Sequence, residues 1–128
     1  MEKKSGIVKK YDYLDCKLIF EGEILNDEII KGKEYLSDEI VYEGEYLKGK
    51  RNGKGKEFEY NKMVYEGEYL DGKRNGKGKE YTYLNGGLIY EGEFKDGKRN
   101  GKGKEYNSVI GQLKGEVEYL NGEKINSK

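Results

Sequence analysis

Along much of this chain apolar and polar positions alternate with a period of two. Tyr42, Gly44 and Tyr46 stand in phase against Glu43, Glu45 and Leu47, the pattern of a strand with one buried and one solvated face. Lys48-Gly49-Lys50-Arg51-Asn52-Gly53 follows and reads as a turn, because Gly and Asn tolerate positive φ at little cost. Lys54–Tyr60 alternates again, so the segment predicts a β-hairpin, and a short turn near Asn61-Lys62 leads into the next strand.

The same block returns. Tyr42–Phe58, Tyr65–Tyr81 and Tyr90–Tyr106 share one pattern, with Phe94-Lys95 replacing Tyr-Leu in the third, and their starts lie 23 and 25 residues apart. A unit of this length cannot bury its own apolar face and must stack on copies of itself. The chain is therefore expected to be one rod-like, all-β array spanning 1–128. The copies at 42–64, 65–89 and 90–112 are strong, and 20–41 is a degenerate one that opens at Phe20-Glu21-Gly22-Glu23-Ile24. Residues 1–19 read as an N-terminal cap or half repeat in which Ser5–Tyr11 takes the place of Asn75–Tyr81, with Val8 for a glycine. Residues 113–128 read as a partial repeat or cap. Leu113 could open a fifth copy, or the segment could be the second half of a shortened unit ending at Tyr119.

A register follows from placing Gly44 opposite Gly55. Glu43 then meets Lys56, Glu45 meets Lys54 and Tyr46 meets Gly53, with Glu66–Lys79, Glu68–Lys77, Glu91–Lys104 and Glu93–Lys102 at the same offset. Such cross-strand ion pairs contribute roughly 0.2–1 kcal/mol each, whereas each buried ring removes ~150–250 Å² from water. The tyrosine–glycine face is thus the expected core and the glutamate–lysine face the solvated one. Phe58 to Tyr65 is seven residues and Tyr81 to Tyr90 nine, where Asn85-Gly86-Gly87 lengthens the turn; both counts are odd, so the pleat keeps its face. The glycine step is eleven from Gly44 to Gly55 but ten from Gly22 to Gly32, which predicts a bulge or irregular turn around Asn26-Asp27-Glu28.

Tyr65-Glu66-Gly67-Glu68-Tyr69, then Gly72-Lys73, then Asn75-Gly76-Lys77-Gly78 resembles the MORN (membrane occupation and recognition nexus) repeat over about residues 20–112. Two departures stand out: Tyr46, Tyr69 and Phe94 where Trp is common, and Asn52, Asn75 and Asn100 where His is usual. The resemblance implies an elongated, twisted, single-layer antiparallel meander of stacked hairpins. It also implies a role in membrane tethering, scaffolding or dimerisation.

Composition narrows the function classes. Mean hydropathy is -1.07 and 39% of residues are charged, yet Lys+Arg and Asp+Glu number 25 each, so there is no bulk attraction to nucleic acid or membrane. Nucleic acid is accordingly a disfavoured partner. One cysteine, Cys16, rules out an intrachain disulfide framework and fits a reducing compartment. Met1–Lys10 carries no apolar run of the secretory kind, and no stretch reaches the ~20 apolar residues of a membrane helix. The expected setting is cytoplasmic, with peripheral membrane contact as the variant. There is no His, no triad spacing and no phosphate loop, and each Glu pair repeats identically opposite a lysine. A noncatalytic chain without cofactor or metal is expected.

Two surfaces compete for a partner. Tyr42, Tyr46, Tyr65, Tyr69, Tyr90 and Phe94 form either core alone or core plus an aromatic groove for a protein partner or a second copy. Lys50, Arg51, Lys73, Arg74, Lys98 and Arg99, free of strand partners in this register, form either a solvated edge or a cationic ridge for anionic, phosphoinositide-type lipid. The protein partner comes first and the lipid second.

Overall fold

The computed structural model describes residues 4–127. Met1–Lys3, at the start of the expected cap and of the segment expected to carry no secretory run, and Lys128 lie outside them. Eleven strands follow one another: β1 (Ser5–Tyr11), β2 (Leu18–Leu25), β3 (Glu28–Leu36), β4 (Glu39–Leu47), β5 (Lys50–Glu59), β6 (Lys62–Leu70), β7 (Lys73–Tyr81), β8 (Leu88–Lys95), β9 (Lys98–Tyr106), β10 (Leu113–Leu120) and β11 (Glu123–Ser127). Spatial order equals sequence order, and every adjacent pair is antiparallel in one open sheet. At ~4.8 Å per strand the meander extends about 50 Å across its strands.

One row of the sheet is almost all glycine. Gly22, Gly32, Gly44, Gly55, Gly67, Gly78, Gly92 and Gly103 pair successively across β2 to β9, with Val8 and Val117 at the two flanks. The ring of the residue two before each hairpin's first glycine lies over both glycines of that hairpin. A methyl built on Gly32, Gly55, Gly78 or Gly103 would overlap the ring of Phe20, Tyr42, Tyr65 or Tyr90. The rings then meet their neighbours edge to face in one line, Phe20–Tyr46–Tyr42–Tyr69–Tyr65–Phe94–Tyr90–Tyr119, at centroid distances of 5.1–5.6 Å and interplanar angles of 83–88°. Tyr42, Tyr65 and Tyr90 are 0% exposed. This face is the core, as the alternation predicts.

Glu43–Lys56, Glu66–Lys79 and Glu91–Lys104 face each other as expected. Glu45–Lys54, Glu68–Lys77, Glu93–Lys102 and Tyr46–Gly53 do not. The hairpin turn is only Lys48-Gly49 with positive φ at both residues, and Arg51 rather than Gly53 lies opposite Tyr46. The residues left over form a bulge at Asn52-Gly53-Lys54, where Gly53 has φ +86 and the Glu45 carboxylate accepts the Lys54 backbone N–H at 2.6 Å. Glu68 and Glu93 repeat this contact with Lys77 and Lys102, at 3.0 and 2.6 Å. The glutamates thus cap a bulge instead of pairing with a lysine side chain. In the degenerate unit the turn at Asn26-Asp27 is a regular two-residue one, and the irregularity sits between Glu23 and Ile24, opposite Ile29–Lys31.

A second bulge marks each passage between units. Glu57 pairs with Tyr65 and Phe58 with Met63, leaving Val64 as the extra residue. Val41 and Ile89 occupy the same place in β4 and β8. Val64 is buried and Ile89 packs against the core rings, because two successive bulge residues can turn to one side of a strand. At the C-terminal hairpin Gly115, not Leu113, takes the place of Tyr90, and Val117 takes the place of Gly92. The two replacements compensate: without a ring at Gly115, the Val117 side chain fills the space and is itself buried.

Cys16 holds φ +62 at the fifth position of loop 12–17, where the equivalent loops have Gly86 and Gly111. A left-handed non-glycine residue costs about 1 kcal/mol. Cys16→Gly is therefore expected to stabilise the chain by about 0.5–1 kcal/mol in urea unfolding, against a loss if the loop were indifferent to backbone conformation.

Candidate functional site

On the ring face the sheet carries a second layer. Glu34, Glu57, Glu80 and Glu105 are in phase with the glycines and point over the core, as do Arg51, Arg74 and Arg99. Each guanidinium lies on a tyrosine ring, Arg51 on Tyr42 at 4.2 Å, Arg74 on Tyr65 at 4.3 Å and Arg99 on Tyr90 at 4.2 Å. Arg51 reaches both carboxylate oxygens of Glu34 at 2.9 Å, and Arg74 those of Glu57 at 2.9 and 3.0 Å. Further along, Arg74 approaches Glu80 at 3.9 Å, Arg99 binds Glu80 at 2.7 Å and approaches Glu105 at 3.6 Å, and Lys124 closes on Glu105 at 2.6 Å. The hydroxyls of Tyr46, Tyr69 and Tyr119 donate to Glu34, Glu57 and Glu105. Among the described residues no buried side-chain polar atom lacks a partner.

This layer changes the reading of both sets of site residues. Tyr42, Tyr65, Tyr69, Tyr90 and Phe94 are buried and Tyr46 is half-buried, so the row is closed core with no open aromatic groove. Its lid is the arginine–glutamate layer. Arg51, Arg74 and Arg99 are not free cations of a ridge; they are stacked and ion-paired inside. Of the ridge set, Lys50, Lys73 and Lys98 remain solvent-exposed. Asp71 and Asp96 stand in the adjacent turns, which lowers the positive field along that edge. The inward glutamates were readable from strict alternation counted from Gly55 to Glu57, a count that the neighbouring aromatic Phe58 obscures.

The opposite face is open. Lys9, Glu21, Lys33, Glu43, Lys56, Glu66, Lys79, Glu91, Lys104 and Glu116 succeed one another across β1 to β10, alternating in sign at every step. Because each strand from β2 to β10 repeats its charge two residues on (Glu43 and Glu45, Lys54 and Lys56, Glu66 and Glu68), the face is striped there, negative on the even strands and positive on the odd. From β6 to β11 it curves into an open concavity of ≈ 940 Å³ lined by these side chains, with Gly67, Gly78, Gly92 and Gly103 also at its wall. Tyr81 donates to Glu66 at 2.9 Å and Tyr106 to Glu91 at 3.3 Å, so the closing aromatics stand on this charged face. Among the described residues Lys54, Lys56, Lys77, Lys102 and Lys104 take part in no side-chain ion pair. None of the described residues forms a His/Cys/Asp/Glu group able to hold a metal.

A family model described as MORN repeat matches residues 42–62, 65–87 and 90–108. Comparison with curated proteins returns no match.

The charged lid sets the pH response. Burial alone would raise the Glu34, Glu57 and Glu105 carboxyls. Hydrogen bonds from Arg51 and Tyr46, from Arg74 and Tyr69, and from Lys124 and Tyr119 outweigh it and hold them below the usual range. A carboxyl lowered by folding stabilises above its unfolded value, ~4.3, and loses that stabilisation as pH falls through the folded value. Stability is therefore expected to be level between about pH 7 and 5 and to decline below ~4.3. Glu57→Gln should cost about 1–3 kcal/mol at pH 7 and make the acid limb shallower. An unchanged acid limb would show that the lid carries no charge linkage. The phenols shift upward, chiefly by burial, Tyr90 to about 12 and Tyr42, Tyr65 and Tyr69 further. Their stabilisation is complete below ~10 and lost as pH rises beyond it. Their absorbance at 295 nm should rise only in step with loss of the folded circular-dichroism signal.

Proposed function

The chain belongs to the MORN-repeat family, whose repeats serve as protein-interaction or membrane-association modules and are generally noncatalytic; on that premise we propose that it is a noncatalytic scaffold that holds a protein partner, a second copy included, along its striped concave face. The supporting observation is the concavity over β6–β11 with unpaired Lys77, Lys102 and Lys104 beside Glu91, Glu116 and Glu118. The buried rings make this surface firm without taking part in it. A striped face of balanced sign selects a partner by the spacing of its charges rather than by net charge, which suits specificity more than raw affinity.

A second reading, peripheral contact with anionic lipid at the hairpin-turn edge, draws support from exposed Lys50, Lys73 and Lys98, which have no ion pair among the described residues. Substituting only these lysines tests it cleanly, since removing the arginines would open the core.

A photo-crosslinking side chain at Lys102 or at Lys73, in the intact chain in its native cells, tests whether protein contacts fall on the concave face or at the lysine edge. Adducts of defined mass from position 102 and few from 73 are expected; adducts confined to 73 would contradict the concave-face reading. Salt-sensitive pelleting with phosphoinositide vesicles, abolished by Lys50→Gln, Lys73→Gln and Lys98→Gln together, would establish the lipid reading instead.

A further inference from the structure

Three of the connections between units have one build. Loops 12–17, 82–87 and 107–112 each close by two backbone hydrogen bonds, from the first residue's N–H to the sixth carbonyl and from the fifth N–H to the first carbonyl, all at 2.8–2.9 Å. In each, the first side chain accepts the N–H of the third residue: Asp12 from Leu14, Thr82 from Leu84 and Asn107 from Val109, at 2.8, 3.2 and 2.9 Å. The third position is then forced outward together with one apolar neighbour: Tyr13 and Leu14 at the second and third positions, Tyr83 and Leu84 at the same two, and Val109 and Ile110 at the third and fourth, exposed by 89 and 80%, 41 and 74%, and 81 and 63%. A loop braced twice by its own backbone and once by its cap has no need of apolar tips for its fold.

All three loops emerge on the long edge opposite the lysine-bearing hairpin turns. Two of them join into a patch with the Tyr60-Asn61 turn. Tyr60 and Tyr83 contact each other at a centroid distance of 5.3 Å, and Asn85 donates to the Ser108 carbonyl at 3.3 Å. Tyr60, Tyr83, Leu84, Val109 and Ile110 therefore form one apolar crest. In a chain that is 39% charged, neither 82–87 nor 107–112 contains a charged residue.

We propose that this crest is a membrane-contact edge that seats its apolar tips in the neutral interfacial layer of a phospholipid bilayer. Three observations favour that occupant over a protein. Leu84, Val109 and Ile110 are 63–81% exposed in loops beyond the strand ends, so a rigid partner would meet chiefly their tips, whereas a deformable layer can surround each of them. Five partly exposed side chains fall short of the ~800 Å² per partner of a stable protein interface. Two tyrosines beside aliphatic tips are the amphipathic rings that settle at a lipid–water boundary. The absence of charge in both loops makes the contact independent of anionic headgroups, unlike binding at the lysine edge. The proposal is also independent of the concave-face reading, which uses other residues.

The chain has no Trp, so Leu84→Trp places a single reporter on the crest and Leu47→Trp one on the opposite edge, where Leu47 is also exposed. Each is titrated with phosphatidylcholine vesicles at low and at high salt. The expected result is a saturable blue shift for Leu84→Trp alone, equal at both salts. Adding Val109→Ser and Ile110→Ser should raise the lipid concentration for half-binding about tenfold or more, with melting unchanged. No shift at millimolar lipid, an equal shift at both edges, or a shift that requires anionic lipid and vanishes in salt would overturn the proposal. So would a lipid-free shift that grows with protein concentration, which would make the crest a self-interface.

Discussion

An aromatic ring laid flat over two facing glycines is the contact on which the rest of this sheet depends. It is possible only where both strands lack a side chain on that face, and it lets a single layer of backbone bury large side chains without a second layer against it. The rings lie on the sheet and meet their neighbours edge to face, so the core is a strip that grows by one hairpin at a time. A point failure in the strip costs its immediate neighbours most, in keeping with the nearest-neighbour energetics of repeat arrays.

A strip of rings still has an outer surface, and the arginine–glutamate layer covers it. Arg74 is held by Glu57 on one side and approached by Glu80 on the other while lying on Tyr65. One side chain thus ties two hairpins and shields a ring. Isolated surface ion pairs contribute little, but these side chains are only 17–30% exposed, two pairs are bidentate, and they share partners. The lid uses three arginines and four glutamates that would otherwise give the ring face a recognition surface. What remains for partners is the striped concave face and the two edges, one bearing lysines and the other apolar tips.

Much of this was legible beforehand. Alternation, repeat length and the glycine spacing gave strands, hairpins, the core face and the central register, because a period of two leaves only two ways to face each strand. The register beyond Gly44 was not legible. Nothing in Gly-Lys-Arg-Asn-Gly states that two residues will make the turn and three a bulge capped by the Glu45 side chain. The destination of the arginines was hidden for a similar reason: Lys50 and Arg51 read alike as charges, yet only the planar guanidinium can lie on a ring and grip a carboxylate at once. The family pattern located the repeats, and the ion-paired lid came from the structure alone.

The dependence of the core on ring and glycine together is tested most directly by a double-mutant cycle on Tyr65 and Gly78, read by urea unfolding. A methyl on Gly78 has the phenol of Tyr65 as its three nearest neighbours. Gly78→Ala should therefore be strongly destabilising with Tyr65 in place and much less so beside Tyr65→Ala, with a coupling above about 1 kcal/mol. Additive losses, with no coupling between the two positions, would contradict the account and place the stability of the sheet elsewhere.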